Sequence, residues 1–157
     1  MLLETQADII ARLRARLPGV LVEDFPDKPE DYRLNHPVGA VLVQYGGSRY
    51  GKRDEIGLVV QERALRFGCQ LVWRALNGER GVLVALELVR RALVGFKPSH
   101  SKKLRAVRDM FVSQQGGLWR YVIEFEGDAL VVENQEADDG PLLTVVGSFE
   151  EEVGNGD

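Results

Sequence analysis

Apolar residues along the chain recur at helical spacing in two stretches and alternate with polar ones in others, which predicts two helices and a sheet. Ile9, Ile10, Leu13 and Leu17 lie three or four apart, with Arg12, Arg14 and Arg16 on the opposite side. Thr5 and Asp8 read as a weak capping box that opens this helix, and Pro18-Gly19 closes it. Val20–Val22 reads as a short strand, Asp24–Pro37 as a polar, proline-punctuated loop, and Val38–Tyr45 as a second strand. From Leu58 to Arg74 the period is two: Leu65, Phe67, Cys69, Leu71 and Trp73 share one face, while Arg66, Gln70 and Arg74 share the other. After Asn77-Gly78, a second helix is expected over about Arg80–Val94. Its core stripe is Val82, Leu86, Val89 and Leu93, widened by Leu83 and Leu88, with Glu87, Arg90 and Arg91 toward solvent. Gly95 and Pro98 end it. Strands at Leu104–Ser113 and Leu118–Phe125 flank Gly116-Gly117, a hairpin signal, and Leu130–Val132 continues the second past an expected kink at Gly127.

The order helix, strands, helix, strands predicts an α+β fold: a mostly antiparallel sheet with two helices packed on one face. Residues 1–133 form a single domain in this reading, and 134–157 an acidic C-terminal extension with one candidate strand at 142–149.

Charge changes the picture at the C-terminal end. Residues 121–157 hold 11 of the 24 acids and no Lys or Arg, leaving 13 acids and all 20 bases on the preceding residues. A basic body with an acidic end gives the molecule two unlike sides, suited to folding back on itself or meeting a neighbouring copy. The single cysteine excludes an intrachain disulfide and fits a reducing cytoplasm; its strand setting predicts a buried, unreactive thiol. No apolar run approaches the roughly 20 residues of a membrane span, and the first residues do not read as a secretory signal.

The candidate chemistry thins out on inspection. Gly46–Lys52 (GGSRYGK) matches the glycine and lysine spacing of a phosphate loop. However, Arg53 stands where Ser or Thr is needed for Mg²⁺, and no helix pattern follows to meet a phosphate. The stretch reads instead as a long, mobile connection between two strands. Its Tyr45, Arg49, Tyr50, Lys52 and Arg53 are residue types favoured at protein interfaces, and these five are the candidate subunit or tube contacts. His36 and His100 have no partners at metal-ligand spacing, and Ser99-His100-Ser101 reads as surface loop. Glu124 and Glu126 share one strand face and alternate with Ile123 and Phe125, as a solvent face does. Trp73 and Trp119 read as core or interface. No catalytic, cofactor or metal residues are assigned.

Several segments together resemble a known family. They are Asp24–Pro26, Tyr32–Pro37, Gly39–Gly51, Val60–Arg63, Leu93–Pro98 and Gly117–Tyr121. In this order they are similar to a family of small proteins encoded among the tail genes of Mu-like phages and prophages. The resemblance covers about residues 1–133. Members of that family resemble tail terminators, which form a ring, usually a hexamer, on the head-proximal end of a tail tube. The resemblance therefore implies a structural protein without cofactor, not an enzyme. Its partners would be copies of itself, the tail tube protein, and sheath and neck proteins, and its place the host cytoplasm during assembly and then the particle. A neck or head-completion protein is the closest alternative. A nucleotide-binding protein through Gly46–Lys52 and a nucleic-acid-binding module using the basic body are the others. Neither a membrane nor a sequence-specific nucleic acid is expected as partner. Strand addition between subunits, with Leu142–Phe149 as the added strand, fits a ring.

Overall fold

A computed structural model describes residues 1–54 and 57–134; the acidic extension and the candidate strand Leu142–Phe149 lie outside the described residues. The elements are α1 (Leu2–Arg16), β1 (Leu21–Asp24), a 3-10 turn (Pro29–Asp31), β2 (Gly39–Asp54), β3 (Val60–Trp73), α2 (Val82–Leu93), β4 (Arg105–Gln115) and β5 (Leu118–Val132). The strands form one sheet in the order β1-β2-β3-β5-β4. Only β1 and β2 are parallel; the other pairs are antiparallel. The fold is the α+β architecture that the pattern predicts.

Both helices bury one stripe against one face of the sheet. Ile9, Ile10 and Leu13 of α1 meet Val82, Ala85, Leu86, Val89, Ala92 and Leu93 of α2 over Val41, Val43, Leu65, Phe67, Cys69, Leu71, Trp73, Ile123 and Phe125. Burying each of the large side chains contributes about 1.5–3 kcal/mol, so this layer carries most of the stability. Cys69 lies in it, fully buried, with its thiol pushed up to about 12 by loss of solvent.

Several expectations need correction. Thr5 does not cap α1: the helix starts at Leu2, and the buried Thr5 hydroxyl lies 2.9 Å from both Met1 O and Ser99 O. Asp8 instead accepts hydrogen bonds from the Ser99 backbone and hydroxyl, pinning the 99–104 loop to α1. Leu83 and Leu88 do not widen the α2 stripe. They are 45% and 40% exposed, and the small Ala85 and Ala92 are the buried residues that complete the stripe instead. The segment after β1 is more than a polar loop. Phe25, Tyr32 and Leu34 pack on Ala40, Leu42 and Val72, forming a second small core on the opposite sheet face. Finally, β5 runs through Gly127 in unbroken register with β3 and has no kink. A Cβ at Gly127 would lie 2.2 Å from Ser101 Oγ and 2.9 Å from Leu104 Cδ2, so the glycine admits the crossing 101–104 loop.

The largest difference concerns the glycine-rich stretch. Gly46–Lys52 is not a connection but the second half of β2, paired to β3 through Arg49↔Ala64 and Tyr50↔Arg63. Bulges between Tyr45 and Gly47 and between Tyr50 and Arg53 absorb the extra residues. Gly47, at φ 119°, occupies a conformation that side chains disfavour.

Candidate functional site

Beyond the helices, the second half of β2, the first residues of β3 and the end of β5 form a three-stranded tongue. No described side chain in residues 46–54, 60–64 or 128–132 is fully buried. A sheet with both faces in solvent has no core of its own, so contacts between its side chains and those of other molecules decide what it does.

The structure brings the predicted contact residues to this tongue but divides them between its faces. Tyr45 and Tyr50 lie on the helix side with Arg63. The Arg63 Nε donates to Ser48 Oγ at 2.9 Å, its guanidinium approaches Tyr45 Oη at 3.3 Å, and it sits 5.4 Å over the Tyr50 ring. Tyr45 also packs on Phe67 with ring centroids 5.5 Å apart. Tyr50 is more than half exposed, and Lys52 is exposed. Arg53 stands opposite Gln61 in the ladder.

Arg49 turns to the other face and joins a cluster that the strand pattern alone did not reveal. Glu126, 5% exposed, accepts from Arg49 at 3.2 Å, Arg66 at 2.7 Å and Arg105 at 3.0 Å. Arg66 and Arg108 also reach Glu124, at 3.7 and 2.7 Å, and Arg105 reaches Asp128 at 3.2 Å. Glu126 is therefore not a solvated side chain. Burial pushes its carboxyl up, but the hydrogen bonds from Arg66 and Arg105 and the charges of Arg49 and Arg66 outweigh that and hold it below its ordinary value. The arginines come from β2, β3 and β4, so the cluster ties three strands to β5. A shallow groove of about 260 Å³ lies beside it, lined by Arg49, Tyr50, Glu62, Lys102, Arg105 and Leu130 among others.

Other candidates resolve into structural roles. The strand placement of Gly46–Lys52 removes the phosphate-loop reading, since no helix N-terminus follows Lys52 to receive an anion. His36 Nδ1 accepts from the backbone of Val38 at 3.0 Å and Gly39 at 3.3 Å, shaping the entry to β2. His100, at φ 64°, pairs with Glu4 on α1. Trp73 is buried and donates from Nε1 to Arg80 O at 2.8 Å, while Trp119 is partly buried against the core and meets Phe111 at a tilt, ring centroids 6.2 Å apart.

The fold is thus a two-layer α+β sandwich with an extended, open-edged sheet, a class shared with a known particle component. A chain of the virion of a native gene transfer agent particle has the same fold: TM-score 0.53 and 19% identity, covering 82% of this chain and 94% of that one. No curated protein matches the sequence. The family model described as Gp37 protein matches residues 9–151, and the chain belongs to that family. The match extends past the point where the resemblance by segments ended, through the acidic segment and Leu142–Phe149.

Proposed function

We propose that this protein is a structural component of a phage or phage-derived particle: a tail terminator. In this reading copies assemble into a ring, most simply a hexamer, that caps the tail tube and offers the surface to which the head or neck joins. The observation that carries it is the shared fold with a virion chain over nearly that chain's whole length. The chemistry of the surfaces supports it. A ring needs a heterologous interface with two unlike patches on each copy. The basic body and acidic end provide the unlike sides, and the tongue provides reach. Tyr45, Arg49, Tyr50, Lys52 and Arg53 then contact a neighbouring subunit or the tube. The protein acts by docking in this account, with no chemical step, in the cytoplasm of the host and then within the particle.

The test is the native mass of the full chain alone and with the tail tube protein, measured by light scattering after gel filtration. A ring-sized species, or co-elution with tube, is expected. A monomer that does not bind tube contradicts the proposal, and binding to heads but not to tube assigns the protein to the neck instead.

A further inference from the structure

The sheet ends on β4, and among the described residues nothing pairs with that edge. Every residue of β4 except Ser113 is exposed, and Val107, Met110, Phe111 and Val112 are between 39% and 50% exposed. A long apolar edge strand is a template for another chain unless something covers it. Bulges between Ala106 and Arg108 and between Phe111 and Ser113 leave Arg108–Phe111 as the longest uninterrupted run of the ladder, the part best able to take a partner strand.

Charge selects among partners. The other long edge unpaired among the described residues, β2 beyond Val43, carries Arg49, Lys52 and Arg53, whereas Lys102 and Lys103 lead into β4 and Arg105 and Arg108 lie at its start. Like charges oppose pairing of those two edges. Leu142–Phe149 is uncharged, β-branched in part, and flanked by Asp138-Asp139 and Glu150-Glu151-Glu152. It also falls within the stretch matched by the family model.

Reach selects the source. Antiparallel pairing is two- to three-fold commoner than parallel, and here it sets the three glutamates beside Lys103 and Arg105. Centred on Arg108–Phe111, it places Leu142 beside Ser113, the partner of Arg120. Arg120 lies 12 residues back along β5 from Val132, about 40 Å. The ten steps from Val132 to Leu142 span at most about 36 Å, and the chain must also reverse. The same chain falls short.

We propose that the outer edge of β4 receives Leu142–Phe149 of a second copy of this chain as an antiparallel strand. The inference rests on the ring reading, for which it supplies the contact between subunits. Met110 faces Val145 in this register. The test uses full-length chains carrying Met110→Cys or one of Thr144→Cys, Val145→Cys and Val146→Cys, mixed under mild oxidation. Cys69 stays silent because it is fully buried. A disulfide-linked dimer that forms only on mixing is expected, strongest for Val145→Cys, and the double variant Met110→Cys/Val145→Cys should give a ladder of linked chains. No mixed product at any of the three positions overturns the proposal. So does a double variant that links only within one chain, which would mean the segment packs in parallel on its own β4. Native mass on the same samples separates the two readings. A ring without the crosslink defeats this contact alone, and a monomer that ignores tube defeats both.

Discussion

Gly39 shows how much of this fold hangs on single residues. A Cβ there would sit 2.3 Å from Trp73 Cδ2, and the indole cannot swing away while its Nε1 donates to Arg80 O. Gly39→Ala should therefore cost about 1–3 kcal/mol, read as a lowered urea midpoint; an unchanged midpoint would mean that the ring moves freely. Tyr32 gives the opposite expectation. Its hydroxyl is buried without a hydrogen-bond partner among the described residues, and burial, with Glu23 nearby, raises its pKa. Tyr32→Phe should leave stability unchanged or raise it by up to about 1 kcal/mol. A loss larger than that would show a partner for the hydroxyl. Glu126 is the third case. Glu126→Ala leaves three arginines without their shared acceptor, and because those arginines are partly exposed the expected loss is moderate, about 1–3 kcal/mol. The pH dependence follows from its lowered folded-state pKa. The unfolded chain takes up the proton first as pH falls, so the contribution is complete above the ordinary carboxylate value and disappears as pH drops through the lowered one. The gap between native and Glu126→Ala midpoints should hold at pH 7 and close below about pH 4.

Among the elements, those with one continuously buried face were legible in the sequence. β3 alternates because Leu65, Phe67, Cys69, Leu71 and Trp73 all face the helices, while Val72 on the other face joins the second small core. α2 was legible in its stripe but not in its width: a leucine weighs more than an alanine in any apolar pattern, yet Ala85 and Ala92 are inside and Leu83 and Leu88 outside. The second half of β2 was illegible for a physical reason. A strand with both faces in solvent has no alternation to display, and the glycines that permit its bulges look like those of a loop. The Glu126 cluster was half legible. Alternation with Ile123 and Phe125 correctly set Glu126 on the face away from the helices. That Arg49, Arg66 and Arg105 converge on it depends on the register of β2, β3 and β4, which no local pattern encodes.

At the scale of the whole molecule, the helices stabilise one half of the sheet and leave the other half, with its open edges, available for contact. Residues 121–157 carry 11 acids and no Lys or Arg, while bases outnumber acids 20 to 13 on the rest, so in the proposed ring head-to-tail contacts gain from charge what two identical faces could not. Ring closure, the seating of a neighbour's Leu142–Phe149 on β4 and the capping of a tube are then one account. The most direct measurement is the length distribution of tail tubes, assembled from the tube protein with and without this chain and imaged by electron microscopy. The account predicts that adding the chain shortens the distribution and leaves a ring of extra density at one end of each tube. Tubes that grow to the same lengths with bare ends in its presence would contradict it.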